Sequence, residues 1–520
     1  MTIAVVSSLV VLSCQNPRPT DSFLKTKTLT IPEYQKLSSL DPRFATTTLS
    51  SLLTDVIFDS LTEFDDSLQI QPHLASSWEL SPDQLTWTLH LRKGVQFHDG
   101  VELTADDVKF TINQLRENAA GNEYLYTAQD ISDVIVKDKY TVQVVLKKKM
   151  SSFLSSLNIG ILPRHLLDKR SDPDFQFSQY PIGTGPFKVV DSRENGVVLE
   201  ANTAYFLGRP ALDRIIVKVY PDKTSVWADL ISGNVDFFHI VDPADYDRLR
   251  HVPTFKTYRA PRFYYYLLSL NLRTPFFEDR RVRQALNYAI NKEDIIAKTL
   301  KGYGHASTGT IYPKSWAYNS AMHPYEYNPR KALALLEEAG WRDHDGDHLL
   351  DKNGRRFEFT VFTNRGDDLK LQVLLIVQQQ LLDLGIKMRV KVFDANDTDF
   401  LFRKQFDAFF PEIDAGGDPD LNYRYWHSSQ IKVGFNVGSY HNPRVDQLLD
   451  VGRIAFDRTK RKAIYDAFQR NLFDDPPGIF LFWIDYLVGV NRRFTGVKIS
   501  SAGPFAHLIG WRVEDLPNPS

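Results

Sequence analysis

Leu85-Thr86-Trp87-Thr88-Leu89-His90-Leu91-Arg92-Lys93-Gly94-Val95-Gln96-Phe97-His98-Asp99-Gly100 is the stretch from which the rest of the chain is read. Leu85, Trp87, Leu89 and Leu91 share one side, and Thr86, Thr88 and His90 share the other. That period of two marks a half-buried antiparallel strand. Turns are expected at Lys93-Gly94 and at His98-Asp99-Gly100. The following Leu103-Thr104-Ala105-Asp106-Asp107-Val108 opens a helix: Thr104 suits the N-cap, and the two carboxylates face the positive end of the helix dipole.

Outward from this core the chain alternates between the two periods. Leu29–Ile31 reads as a strand. Leu49–Phe58 reads as a helix, with Leu49, Leu52, Leu53, Val56 and Ile57 on one face. Val134–Val136 and Thr141–Leu146 form a hairpin, and strands recur at Val197–Ala201 and Ile215–Tyr220. Helices are expected at Ser225–Ile231, Arg280–Ile290, Lys292–Leu300, Pro329–Ala339 and Lys370–Leu384, the last leading into a strand at Lys387–Phe393. Hairpins mixed with helix–strand units predict α/β lobes.

With 520 residues the chain needs more than one core. Lys+Arg of 62 against Asp+Glu of 64 leaves a net charge of -2, so no bulk attraction to nucleic acid is expected. One cysteine excludes an internal disulfide framework and multi-cysteine metal sites. The apolar run Ile3–Leu12 is too short to span a bilayer but suits a signal-peptide core. Val11-Leu12-Ser13-Cys14 resembles a bacterial lipobox, which implies cleavage before Cys14 and lipidation of its thiol. An envelope-located, membrane-anchored lipoprotein is the expectation, with the lipid as its only membrane attachment.

The motifs of catalysis and metal binding are missing or fail on inspection. Asp343-His344-Asp345-Gly346-Asp347 lacks the glycine and carboxylate that a calcium loop needs at its sixth and twelfth positions, and reads as a polar hairpin between Trp341 and Phe357. Gly183-Thr184-Gly185-Pro186 has no P-loop lysine. No cofactor, no metal and no enzymatic activity are expected, although a nucleophile and base can assemble from distant residues. Aromatic clusters remain: Phe263-Tyr264-Tyr265-Tyr266, Phe480–Trp483, and Tyr423 with Tyr425 and Trp426. Such residues build cores, and near turns they also line apolar pockets with polar tips.

The decisive stretch, preceded by Ala75-Ser76-Ser77-Trp78-Glu79, resembles the signature of family 5 extracytoplasmic solute-binding proteins, which serve peptide and nickel ABC importers. Gly183–Phe187, Asn271 with Arg281–Leu286, Tyr327–Ala332 and Leu335–Gly340 extend the resemblance over nearly everything after residue 28. It implies an α/β fold of the type II periplasmic-binding-protein kind, two lobes built from three domains that close like a flytrap. The implied divisions are a signal peptide at 1–14, domain I at 15–50, 169–268 and 487–520, domain II at 51–168, and domain III at 269–486. Lobe crossings are expected near Tyr266–Asn271 and Trp483–Val488.

The resemblance also implies a monomer that binds a short peptide in the interlobe cleft and delivers it to an ABC permease and ATPase. Asp414 matches the family aspartate that holds a peptide ammonium, within Pro411-Glu412-Ile413-Asp414-Ala415-Gly416-Gly417-Asp418-Pro419. Pro411 stands where the family carries tryptophan, and Asp418-Pro419 lies one residue further along than usual. Arg365 is the candidate for the peptide carboxylate, and Tyr266, Trp483 and Phe44 are the candidate aromatic walls. A metal chelate, haem, oligosaccharide or signalling molecule in the same fold stays open as the ligand, as does a hydrolase.

Overall fold

A computed structural model describes residues 27–514 apart from 35–36, 38, 46, 118–127, 169–172, 241 and 395–396. The expected lipidation site, Cys14, lies outside the described residues. Among them, no helix is long and apolar enough to cross a membrane.

The first sheet orders its strands Thr28–Glu33, Arg214–Val219, Gly196–Ala201 and Phe187–Arg193. The first pair is parallel and the others are antiparallel. Leu29, Ile31, Val197, Leu199, Ile215 and Val217 alternate into one core. Helix Thr48–Ile57 closes that core with Leu49, Leu52, Leu53, Val56 and Ile57, the face its spacing predicts. Its N-cap, Thr47, accepts from the Ser50 backbone N–H. Thr48, Ser51 and Asp55 are left on the opposite stripe.

The decisive stretch forms Thr86–Leu91, a central strand of a second sheet ordered Ala75–Leu80, Thr86–Leu91, Thr141–Leu146 and Ile131–Asp138. Trp87, Leu89 and Leu91 are buried while Thr86, Thr88 and His90 are half-buried, as the alternation requires. Helix Ala105–Glu117 covers the apolar face. Asp107 Oδ2 reaches back to the Thr104 N–H at 2.9 Å and its hydroxyl at 3.0 Å, the returning half of a capping box.

The third sheet is mixed and larger. Its main path runs Phe237–Ile240, Gly478–Asn491, Phe255–Leu270, Ala408–Phe409, Glu358–Asn364 and Lys387–Phe393. Helix Asp368–Leu382 joins the parallel pair 358–364 and 387–393, giving the expected helix–strand unit. Helices Arg280–Ala289, Lys292–Leu300 and Pro329–Glu338 pack in one core of this sheet. Pro443–Ile454 and Arg458–Asp474 pack in another.

Two long strands belong to both lobes. Phe255–Pro261 pairs with Asp485–Asn491, and Tyr265–Ser269 pairs with Gly478–Trp483. Val488 and Val490 join the core of the first sheet. Leu268, Leu270, Ile479 and Leu481 join a core of the second lobe. The ladder breaks register between Pro261 and Tyr265, where proline has no N–H to donate. The break lies N-terminal to the expected 266–271 crossing. Beyond it, Tyr264–Tyr266 pairs with Glu412–Asp414 on the strand's other side.

Candidate functional site: the interlobe surface

At the register break, side chains that would otherwise enter a core are half-buried: Arg262, Phe263 and Tyr264 on one strand, Asp485 and Tyr486 on the other. Arg262 Nη1 lies 2.9 Å from Glu412 Oε1. The guanidinium also sits 4.2 Å from the Tyr264 ring centroid and 5.7 Å from that of Tyr486. A planar cation between a carboxylate and two ring faces is held from several directions. Burial pushes the Tyr486 hydroxyl up; Arg262 pulls it down, and the carboxylates of Asp414 and Asp55 push it up again.

Beside it, His239 is lowered to about 3 by burial and then by the charge of Arg262, so it is neutral at ordinary pH. A cavity of about 20 Å³ bordered by His239, Arg262, Tyr303 and Asp485 has room for roughly one water. Arg259 forms an ion pair with Asp485 on the same edge.

Asp414 ends the strand Glu412–Asp414, opposite Tyr264. Its Oδ1 accepts from the Gly416 N–H at 2.8 Å, a turn helped by the left-handed φ of +61° at Gly416. Among the described residues this strand is paired along one edge only. Strand 408–409 runs parallel to 358–364, so Arg365, just beyond Asn364, stands on the same rim of the sheet as Asp414. Arg365 pairs with Asp394 at 2.7 Å, and both side chains are exposed. Tyr266 and Trp483 are placed elsewhere, in the core. Tyr266 stacks on Phe482 at 4.9 Å, and Trp483 meets Tyr312 edge-on at 5.1 Å. Phe44 is exposed on a loop with the Arg43 guanidinium 5.0 Å from its ring. Of the five ligand candidates, only Asp414 joins the Arg262–Tyr486 group.

The second sheet's subdomain docks on the loop that follows Asp414. Ser152 Oγ donates to Asp420 Oδ2 at 2.7 Å, and the Ser151 N–H donates to the Arg453 carbonyl at 2.8 Å. Arg453 in turn approaches Asp420 at 3.2 Å and Asp130 at 3.7 Å. Phe64 lies directly over Gly417: a Cβ there would be 2.5 Å from a ring carbon. The lobes are thus closed on one another.

Away from the cleft, Asp343, Asp345 and Asp347 bring carboxylate oxygens within 4.8 Å of one another. Asp343 already accepts from the Gly346 and His348 N–H groups, and Arg356 neutralises Asp345 and Asp347. The segment is the polar hairpin its sequence suggests, turning at Asn353-Gly354 with φ values of 54° and 72°.

Sequence reasoning missed Arg262, Glu412 and Tyr486. The available signal was a single arginine opening an otherwise aromatic run, Arg262 before Phe263-Tyr264-Tyr265-Tyr266.

Comparison with known proteins agrees with this architecture. The family described as bacterial extracellular solute-binding proteins, family 5 Middle, matches residues 69–434. The oligopeptide-binding protein AppA of Bacillus subtilis (strain 168) is 31% identical over 484 residues, 90% of this chain and 88% of its own. The structure of AppA in complex with a nonapeptide superimposes with a TM-score of 0.82 at 30% identity, covering 94% of this chain and 99% of AppA. NikZ from Campylobacter jejuni in complex with Ni(L-His) gives a TM-score of 0.81 at 31% identity, with coverage of 94% and 99%. These relatives are named for binding rather than catalysis, and the two-lobed α/β architecture is theirs. With its signature strand, its two shared crossing strands and a family match over most of its length, the chain belongs to the family 5 bacterial extracellular solute-binding proteins.

Proposed function

We propose that this protein is the substrate-binding lipoprotein of an ABC importer, anchored through Cys14, that binds short peptides between its lobes and hands them to a membrane permease without catalysing a reaction. The observation that carries the peptide reading is the strand Glu412–Asp414, paired along one edge and ending in a half-buried carboxylate at the cleft. An extended peptide adds to such an edge through main-chain hydrogen bonds, which makes its side chains secondary. Asp414 then accepts the α-ammonium, and Arg365 is the nearest candidate on the rim for the far carboxylate. The likeness to AppA, solved with a nonapeptide, supports this reading. The register break at Pro261–Tyr265 is the place for the hinge, since few ladder bonds resist rotation there.

Titration calorimetry with a set of tripeptides tests the assignment. A charge-assisted hydrogen bond contributes about 1.5–3 kcal/mol, so Asp414→Ala is expected to weaken binding about ten- to hundredfold. N-acetylation of the peptide should cost wild type a similar factor and cost the variant little. Equal affinity for free and acetylated peptides would remove Asp414 from the site.

A further inference from the structure

In strand Glu358–Asn364, Phe359 and Val361 enter the core beside Val373 and Val377 of helix Asp368–Leu382. Thr360 and Phe362 therefore point to the opposite face of the sheet. Lys391, the register partner of Phe362, points with them. On that face lies a pocket of about 520 Å³, lined by Thr360, Phe362 and Lys391 from the sheet and by Arg273, Lys404 and Asp407 from the turns beside it. None of the residues of the interlobe site lines it. The buried Asn271 ties the two turns together. Its amide donates to the Lys404 and Phe406 carbonyls at 3.2 and 2.7 Å, and its Oδ1 accepts from the Arg273 N–H at 3.2 Å. Lys404 Nζ donates to the Asn436 carbonyl at 3.2 Å, and the Lys391 ammonium lies 5.1 Å from the Phe362 ring centroid. Among the described residues no carboxylate pairs with Arg273, Lys391 or Lys404. The carboxylate in the lining, Asp407, already accepts from the Thr360 N–H at 2.9 Å. Three cations against one carboxylate leave two positive charges in excess. Burial and the charge of Arg273 lower Lys404 to about 8, as befits a cation short of counter-charge.

We propose that this pocket is a second binding site, outside the interlobe cleft, for the phosphate group of a phosphate monoester. Such a group carries about −1.5 to −2 charge at pH 7, which matches the excess, whereas one carboxylate would leave a cation unanswered. The Arg273 guanidinium offers a planar fork of donors, and the Lys404 ammonium keeps donors beyond the one given to Asn436. The pocket is larger than a phosphate, so Phe362 and Phe406 wall the body of the ester. A soluble ester and a bilayer headgroup ending in a phosphate monoester share this chemistry.

The test is calorimetry on the full chain at low salt, with inorganic phosphate, phenyl phosphate and acetate as probes. Wild type is expected to bind both phosphates about tenfold or more tighter than acetate. Arg273→Gln and Lys404→Gln should each weaken phosphate binding about tenfold, the loss of one charge-assisted contact. Arg273→Gln and Lys391→Gln alter exposed side chains, so both should fold as wild type and keep the test readable if Lys404→Gln does not. Sedimentation with phosphatidylcholine vesicles containing phosphatidic acid then identifies the source. Vesicle binding that is lost in Arg273→Gln assigns a headgroup; tight phenyl phosphate without vesicle binding assigns a soluble ester. Failure of wild type to bind either phosphate would overturn the proposal. So would acetate bound as tightly, or a phosphate affinity unchanged in all three variants.

Discussion

Replacing Asp59 by alanine is expected to lower stability by about 3–5 kcal/mol, the cost typical of breaking a buried charged network from one side. Asp59 is buried directly after helix Thr48–Ile57. Its carboxylate accepts from the Thr184 hydroxyl at 2.7 Å and from the Tyr205 hydroxyl at 2.8 Å, and it lies 2.8 Å from His73 Nε2. Thr184 and Tyr205 flank the first sheet and His73 precedes the second, so a single carboxylate joins both. Alanine would strand two hydroxyls in the interior and remove one of the two carboxylates that hold the His73 ring charged. The first transition in urea or on heating should move accordingly; an unchanged midpoint would show that the junction holds without it.

The same group gives the protein a signed dependence on pH. Burial works against the charged form of His73, but hydrogen bonds to Asp59 and Glu63 outweigh it and raise the ring from 6.5 to about 9. The stability from this pair is therefore fully present below pH 6.5 and is lost as pH rises through about 9. Midpoints measured between these limits should fall with pH in wild type and fall less in Asp59→Ala. A parallel slope in the two proteins would assign the dependence to other groups.

Gly417→Val is expected to weaken ligand binding by about ten- to hundredfold while leaving the ligand-free unfolding midpoint nearly unchanged. A Cβ at this position meets three ring carbons of Phe64 at 2.5 to 2.9 Å. That ring is carried by strand Thr62–Phe64, which pairs with Ile70–Pro72. Phe64 belongs to the first lobe and Gly417 to the second, so the substitution disfavours their approach and spares each lobe by itself. Calorimetry with a bound tripeptide measures the loss. Phe64→Ala in the same chain should restore most of the affinity, a coupling that marks contact between the two positions. Wild-type affinity in Gly417→Val alone would mean that Phe64 yields without cost.

What the sequence made legible depended on whether a segment has two unlike sides. Thr86–Leu91 has a wet face and a dry one, so alternation revealed it, and helix Thr48–Ile57 was legible for the same reason. Strand Gly478–Asn491 is buried along almost its whole length, so its pattern is nearly continuous and carries no direction. Tyr266 and Trp483 could therefore be read as pocket walls, although both pack in the core. The pairing of Arg262 with Glu412 depends on strands brought together across most of the second lobe, and nothing local to either residue announces it. Asp414 was legible through the segment that resembles the family pattern.

The two strands shared by the lobes also bear on the order in which the chain can fold. Tyr265 pairs with Trp483, and Phe255 with Asn491, so the central ladder of the molecule joins residues far apart in sequence. Contacts of such separation form late, because a long loop must close before they return any free energy. A chain emerging from its N-terminus can complete neither lobe until Gly478–Asn491 arrives, since both cores take side chains from that one strand. The C-terminal segment is the last stitch for both halves, and truncation before it would leave two open sheet edges rather than one intact lobe.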